Sequence, residues 1–560
     1  MAIGDATGGT SLAGQINFQG LGSGTDFSTL ISKLVSVEQS RVATYTTWKQ
    51  SWLDKNTAFK ALNNTMLTLR TTLQGMSTIG QFLQKTADSS NTTTLTATAG
   101  GTAAAGTHTY SVKQLAQSKM MVTISGVASL TQNINALGSA AKFIYDYKGI
   151  AVSNAIPASA TLADLVNIIN TNGDNNGVRA STVFDGTKYY LQIRGLDTGA
   201  KSTLTIDPAS TLAGFGAANF ATVQNNQDAQ IKIDGWPLSN AYIARSNNSI
   251  SDVVTGLTFN LKSSGAGSVS VSTNTDAVLQ NVRTFVSQVN QVRSQIMALT
   301  KYDSTNKQGS ILTGNYGLQM ISTIMDNVTA DLGVGFTVTR DKYASLSPLG
   351  LNTDATEGSP TQGLIVLDEA AFTAALASDA NAVGSIFSES FKGETSTADT
   401  SYQSCIQGIT KAGAYPVTYT VAGGKITSAT INGHAASFNS NSSFITGASG
   451  QDESGLVLRV NNLTNGTYSS TTYLKEGKIP ELVDSLTTLT DATNGPLNIL
   501  QNNYVTIADD IQTKIDNENV RIAQMQTNLQ AQFSKLDALL GTYGQQTNAL
   551  SSAVTQLSKQ

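Results

Sequence analysis

The amino-acid sequence predicts an α+β multidomain protein: a helical coiled-coil leg built from N-terminal, central and C-terminal helices, with β-rich head domains and mobile helical termini. Two observations predict this fold class. Apolar residues repeat at steps of three and four near both ends and once in the middle of the chain, which is typical of packed helices. The stretches between them alternate apolar and polar residues, which indicates half-buried strands. At 560 residues the chain is too long for a single core.

The N-terminal helical stretch follows a glycine-rich leader. Thr25 and Asp26 are both suitable N-caps for it. A heptad seam then occupies 45–76, with Lys55 as its interruption. The apolar residues of the first turns are Phe27, Leu30, Ile31 and Leu34.

The central helix is predicted over the heptad pattern of 278–299, with Thr275 or Asp276 as its N-cap. Residues 364–387 indicate a strand followed by two short helices. The simplest way to bury the helical stripes is to pack the N-terminal, central and C-terminal helices together, because each buried Leu or Ile is worth about 1.5–3 kcal/mol. The β domains then form a head.

The C-terminal helix has apolar residues seven apart without a miss, and it contains Gly541 and Gly544. Each glycine costs about 1 kcal/mol in a helix interior, and an isolated helix of about twenty residues is marginal in water. We therefore expect both chain ends to be mobile until they dock on other helices. The predicted assembly interface consists of Phe27, Leu30, Ile31, Leu34, Leu536, Leu539, Tyr543, Leu550, Val554 and Leu557.

Between the helices, a compact unit is predicted over 161–193. Thr161 caps its helix, and Asp185 with Gly186 joins two strands as a hairpin. A polar stretch rich in Ser, Asn, Gly and Thr indicates an inserted β domain. The predicted boundaries are 1–42 (mobile terminal segment), 43–84 (leg helix), 85–130 plus 215–274 (first head domain), 131–214 (second head domain), 275–399 (leg helices with the strand–helix element), 400–475 (insert), 476–540 (leg helices) and 541–560 (mobile C-terminal helix).

Composition excludes several classes of function. The net charge of −4 provides no basic field for nucleic acid or anionic lipid. A single cysteine excludes an intrachain disulfide and a zinc cluster. The first residues have no signal-peptide pattern, and no 18-residue apolar run occurs. Taken alone, these facts predict a soluble cytoplasmic protein.

No motif in the sequence predicts catalysis, a cofactor or a metal site. His108 and His434 lie in strand-like stretches, and neither is predicted to have a carboxylate or cysteine partner. The glycine-rich segment 20–24 is interpreted as a hinge, because no strand precedes it and no lysine follows at phosphate-loop spacing. Residues 172–177 match only the opening of a calcium loop. Cys405 is interpreted as an inert thiol.

Four segments resemble the flagellar filament cap, or hook-associated protein 2, family. "FQGLGSGTDFSTLISKLVSVEQSRV" is similar to its N-terminal signature, with Gly22, Gly24, Asp26 and Leu30 at matching positions. The segment 161–195 resembles a module shared by flagellins and hook-associated proteins. The segments 227–292 and 364–387 resemble the family's C-terminal region, which plain flagellins lack.

The resemblance implies an extracellular protein at the distal filament tip. It implies a homo-oligomeric ring that helps exported flagellin fold and insert and prevents its loss. The implied partners are other copies of the chain, flagellin, adjoining hook-associated proteins and an export chaperone before secretion. Neither nucleic acid nor membrane insertion is implied.

Two alternatives remain open from the sequence. One is a filament or junction subunit, for which long fibres would be expected. The other is a secreted adhesin whose head binds glycans. The role of the insert and the number of copies in a ring are not predicted.

Overall fold

The structure is a computed structural model that describes residues 26–136, 138–303 and 305–558. Within these ranges, helices form an elongated leg, and strands form two head domains and the insert. The predicted mixture of a helical leg and β-rich domains is confirmed. The α-helices are α1 (Phe27–Gln74), α2 (Ile79–Phe82), α3 (Leu162–Thr171), α4 (Thr275–Thr300), α5 (Tyr316–Ala330), α6 (Glu369–Ser378), α7 (Ala380–Ser388), α8 (Lys478–Leu489) and α9 (Pro496–Leu557).

The leg forms around α1, which packs against α9, α8 and α4. The rings of Trp52 and Phe59 lie 5.3 Å and 5.6 Å from the ring of Tyr504 in α9. Helices α1 and α9 are antiparallel, since α1 begins beside the later part of α9. Most heptad residues predicted for α1 and α4 are buried, whereas Tyr45, Trp52 and Leu299 are half-buried and Trp48 is exposed. The buried ones are Phe59, Leu62, Met66, Leu69, Leu73, Val278, Val282, Phe285, Val289, Val292 and Ile296.

Some helix boundaries differ from the sequence-based expectations. The N-cap of α4 is Asn274, not Thr275 or Asp276: its side chain accepts a hydrogen bond from Ala277 N at 3.1 Å. The boundary predicted at 42/43 falls inside α1, and the one predicted at 540/541 falls inside α9. Helix α9 is continuous through both glycines because adding a residue to an existing helix is far easier than nucleating one.

The head contains two domains, each with two antiparallel sheets. The first has the sheets β1-β15-β3-β11-β12 and β13-β14-β2; the second has β10-β4-β8-β7 and β6-β5-β9. Their strands are β1 (Lys85–Ser89), β2 (Leu95–Ala99), β3 (Gly106–Gln114), β4 (Met120–Thr123), β5 (Ala141–Tyr147), β6 (Ile150–Ile156), β7 (Val178–Phe184), β8 (Tyr189–Gly195), β9 (Leu204–Ile206), β10 (Phe220–Gln224), β11 (Ala229–Ile233), β12 (Ile243–Arg245), β13 (Ser249–Ile250), β14 (Leu257–Leu261) and β15 (Gly265–Thr273).

The second head domain is larger than the predicted 131–214. Strands β4 and β10 pair with each other, with Val122 opposite Ala221, and β4 also pairs with β8. Because β4 and β10 are far apart in the chain, no local pattern reveals this pairing. Within the domain, Thr161 and Asp164 form the N-terminal capping box of α3, as the predicted cap requires.

Four short strands belong to the leg: β16 (Tyr302–Asp303), β17 (Gln308–Gly309), β18 (Leu351–Thr353) and β19 (Ile365–Leu367). Strand β19 followed by α6 and α7 is the strand and two helices predicted over 364–387. Both helices are capped by aspartates, Asp368 for α6 and Asp379 for α7. Their apolar residues complete the leg core.

The insert is a β domain with its own core, and it spans 390–476 rather than 400–475. It starts earlier because β20 pairs with β28, the last strand. Its two sheets have the orders β20-β28-β22-β23-β24 and β21-β27-β26-β25. The strands are β20 (Ser390–Thr395), β21 (Thr400–Ser404), β22 (Gly413–Ala422), β23 (Lys425–Ile431), β24 (His434–Ala435), β25 (Ser437–Phe438), β26 (Phe444–Thr446), β27 (Val457–Val460) and β28 (Gly466–Glu476).

Candidate assembly interface

The start of α1 is fixed by an aspartate cap. Asp26, one of the two predicted N-caps, accepts hydrogen bonds at Oδ1 from the backbone N–H groups of Ser28 (3.0 Å) and Thr29 (3.1 Å). Hydrogen bonds from the hydroxyl groups of Thr29 and Ser28, together with these backbone bonds, lower the pKa of Asp26 to about 2. The carboxylate is therefore ionised at the positive end of the helix dipole.

The first turns of α1 pack on α9 within the same chain. The Phe27 ring stacks on Phe533, with 5.1 Å between centroids. Glu38 forms an ion pair with Arg521 of α9, which also binds Glu518. The apolar cluster between the two helices contains Ile31, Val35 and Ile522, with Val42, Met525, Leu529 and Phe533 packed against it.

Beyond Phe533, the apolar stripe of α9 continues but is exposed. The segment 534–557 continues for about 36 Å at the usual helical rise of about 1.5 Å per residue. The exposed fraction rises from 39% for Leu536 to 75% for Leu557. The intervening apolar residues Leu539, Tyr543, Leu550 and Val554 are also exposed. Among the described residues, no second helix covers the apolar side chains of this segment, although such a seam requires a partner.

The predicted interface residues separate into two groups. Phe27 and Ile31 face α9 and are used within the chain. Leu30 and Leu34 lie at the surface of α1, and the six predicted residues of α9 are exposed as well. The role of these eight exposed residues in assembly remains a prediction.

Further exposed apolar residues of these two helices include Val37, Leu540 and Trp48, and Nζ of Lys514 in α9 lies 5.7 Å from the centroid of the Trp48 ring. Val37 could have been identified from the sequence, because it follows Leu34 by three positions. Leu540 similarly lies four positions after Leu536 and three before the next seam residue. The exposure of Trp48 has no such signal, since the heptad seam assigns its side chain to the core.

Both histidines have a carboxylate partner, and the prediction that they lack one is wrong. His108 Nδ1 lies 2.7 Å from Asp234 Oδ2, because the pairing of β3 with β11 places these residues together. His434 Nδ1 lies 2.6 Å from Oε1 of Glu453, whose side chain is fully buried. Each partner is distant in sequence. Among the described residues, neither pair belongs to a group of three or more His, Cys, Asp or Glu side chains that could hold a metal ion.

The other candidate motifs have structural roles or lie outside the described ranges. In the segment 172–177, Asn172 Oδ1 accepts from Asp174 N at 2.9 Å, and Asn176 Nδ2 donates to Tyr147 O at 3.1 Å. Cys405 is half-buried against the core of the insert. The glycine-rich segment 20–24 lies outside the described residues.

Two family models match this chain. The model of the flagellar hook-associated protein 2 C-terminus matches residues 226–545, and that of the N-terminus of the same protein matches residues 23–119. The chain belongs to the flagellar hook-associated protein 2 family. The C-terminal match alone covers more than half of the sequence, including the insert and most of α9.

Curated relatives agree with this family. The flagellar hook-associated protein 2 of Escherichia coli K12 is 27% identical over 386 residues, covering 66% of this chain and 80% of the relative. The B-type protein of Pseudomonas aeruginosa is 26% identical over 405 residues, covering 66% and 79%. The crystal structure of the D1-D2-D3 domains of the flagellar cap protein FliD from Escherichia coli is 25% identical, with a TM-score of 0.48, and covers 60% of this chain and 91% of that one.

As a member of this family, the chain is a cap protein of the bacterial flagellum, and its place is the distal end of the filament, outside the cell. The family is structural. The two alternatives, a filament subunit and an adhesin, are not favoured by these relatives. Within the described ranges, none of the helices is both long and apolar enough to cross a membrane.

Proposed function

We propose that copies of this chain form a ring at the filament end and that the exposed stripe of α9 is one of the surfaces that hold the assembly together. The observation that carries this proposal is the stripe itself, which keeps its heptad spacing to Leu557 while its exposure increases. Each Leu or Ile that a partner helix covers contributes about 1.5–3 kcal/mol. Covering this surface therefore favours assembly strongly.

We further propose that the ring receives exported flagellin, promotes its folding and insertion, and prevents its loss. Flagellin and the adjoining hook-associated proteins are the proposed partners at the filament, and an export chaperone is the proposed partner before secretion. An apolar seam on a single protruding helix suits this role, because it can pair with a helix from another copy or from flagellin without rearranging the leg.

We propose a structural role without catalysis, nucleic-acid binding or membrane insertion. Each histidine is already bound to a single carboxylate, at 2.7 Å for His108 and 2.6 Å for His434. The weakly charged surface supports protein contacts more than binding to polyanions.

The test compares two double variants of α9. Leu550→Asp with Val554→Asp places charges on the exposed stripe, and Ser552→Asp with Thr555→Asp places the same charges on the other side of the helix. We expect the first variant to remain monomeric by mass photometry and its cells to release unassembled flagellin into the medium. The control variant should form rings and normal filaments.

Deleting residues 541–560 provides an independent check. We expect this truncation to behave like the Leu550→Asp, Val554→Asp variant. Normal filaments without flagellin in the medium, in cells with either variant, would show that the stripe is not needed for the cap.

A further inference from the structure

The chain passes between the leg and the insert at two places, called the crossings below. The two crossings lie side by side and form a narrow waist between the two parts. Helix α7 ends at Ser388 and β20 begins at Ser390, while β28 ends at Glu476 and α8 begins at Lys478. Two backbone hydrogen bonds of 2.9 Å lie at this waist: Gly477 N–H donates to Glu389 O and joins the two crossings, and Glu476 N–H donates to Val334 O in the leg. With only two crossings, the position of the insert depends on the contacts beside them.

Lys475, on one side of the waist, is fully paired. Its Nζ lies 2.7 Å from Asp341 Oδ1 in the leg and 2.5 Å from Glu394 Oε2 in the insert. Burial alone would raise the pKa of Glu394, but hydrogen bonds from Lys475 and Lys392 outweigh it and keep that pKa below its usual value. Because its pKa is lowered, Glu394 stays ionised in mild acid, and its pairing with Lys475 persists there.

Glu476, the next residue, is buried as well but, unlike Lys475, has no ion-pair partner among the described residues. It is 8% exposed, and no hydrogen bond or ion pair from the described residues reaches its carboxyl group. Asp484 and Glu481 on α8 carry charges that repel its carboxylate. Lys478 is also buried, but its Nζ forms an ion pair with Glu481, 3.0 Å from Oε2. The geometry of this pair is not that of a hydrogen bond.

The remaining charged groups at the waist do not compensate Glu476. Glu389, at the other crossing, is also buried and accepts a hydrogen bond from Ser385 Oγ at 2.9 Å. Lys475 is held by its two carboxylates. Burial, with smaller contributions from Asp484 and Glu481, raises the pKa of Glu476 to about 7, and burial also raises the pKa of Asp484.

We propose that the carboxyl group of Glu476 is a proton switch in the joint between the insert and the leg: the joint is firmly closed while this group carries a proton and loosens when it ionises. In the closed joint the group keeps its proton up to about pH 7, whereas in an opened joint it titrates near 4.5. The closed form therefore binds more protons between these values. Its stability falls as the pH rises through this window and levels off above it.

Amide hydrogen exchange of the intact protein tests this switch. The main reporter is the N–H group of Glu476, whose hydrogen bond to Val334 O links the insert to the leg, and the N–H group of Gly477 reports on the contact between the two crossings. After correction for intrinsic exchange, the opening equilibrium of the wild type should rise by up to about tenfold per pH unit from about pH 5 to about pH 6.5, and should level off above about pH 7.5. Glu476→Gln, which mimics the protonated group, should show no rise and should be better protected at neutral pH.

Glu357→Gln is the matched control, because Glu357 is an exposed carboxylate elsewhere in the leg. It should retain the pH dependence of the wild type. A wild type whose opening does not change with pH would overturn the proposal, even if Glu476→Gln could not be purified. The same slope in the wild type and in Glu476→Gln would also overturn it.

Discussion

The two halves of α9 have the same seven-residue repeat and opposite surroundings. In the first half, Ile515 and Ile522 are 7% and 5% exposed; in the second half, Tyr543 and Leu550 are 58% and 67% exposed. The change occurs at Phe533, which packs against the first residue of α1. Among the described residues, α1 extends along α9 only as far as the apolar stripe is buried, although the polar residue Asp537 beyond that point is buried as well. The repeat alone therefore indicates a helix that packs, and the length of its neighbour determines which part packs within the chain.

This comparison predicts that replacing an apolar stripe residue by alanine affects the stability of the monomer in the first half of α9 but not in the second. Ile522→Ala should lower the free energy of unfolding of the leg by about 2–5 kcal/mol, because it leaves a cavity between α1 and α9. Leu550→Ala should change it by less than about 0.5 kcal/mol in the monomer, because the side chain is already in water. Denaturant unfolding at high dilution, followed by the helical circular dichroism signal, measures both effects.

Leu550→Ala should instead weaken the assembly, which mass photometry over a concentration series can detect. Equal losses of monomer stability for Leu550→Ala and Ile522→Ala would mean that the second half of α9 is covered within the chain. The difference between the two halves would then not exist in solution.

A smaller effect is expected at Gly544, which is exposed on the protruding part of the helix. A methyl group added there meets no atom within 4 Å, so Gly544→Ala should be free of strain. It should favour the local helix by about 1 kcal/mol and slow hydrogen exchange over 540–557 in the monomer. Unchanged exchange, with full protection already in the wild type, would contradict the predicted mobility of this end.

Much of the leg could be predicted from the sequence because its signals are local. The seams of α1 and α4 and the strand with two helices before the insert depend on spacings within a few turns. The continuity of α9 was less predictable, because the cost of Gly541 and Gly544 has to be weighed against a long run of helical neighbours. The local sequence gives the cost of each glycine, but not the balance between these costs and the stability of the whole helix.

The parts that could not be predicted depend on residues far apart in the chain. Asp234 reaches His108 only because β11 pairs with β3, and the second head domain closes only when β4 meets β10. The same limit applies to the interface. The sequence groups Phe27 and Ile31 with Leu30 and Leu34, and only the position of α9 shows which pair is already used within the chain.

The smallest expected effect concerns the cap at the start of α1, which lies beside the end of the buried half of α9. The pKa of Asp26 is lowered from 3.8 to about 2, so its contribution to the helix is present above pH 3.8 and is lost as the pH falls through about 2. We expect the amides of Ser28 and Thr29 to lose protection over this range. Asp26→Asn keeps a side-chain acceptor but cannot titrate, so its protection should not follow this pH dependence.

If the wild type and Asp26→Asn lost protection in parallel, the loss would reflect acid unfolding of the whole leg. If only the wild type changed, the ionised carboxylate of Asp26 would be what protects the first turn of α1 beside Phe533.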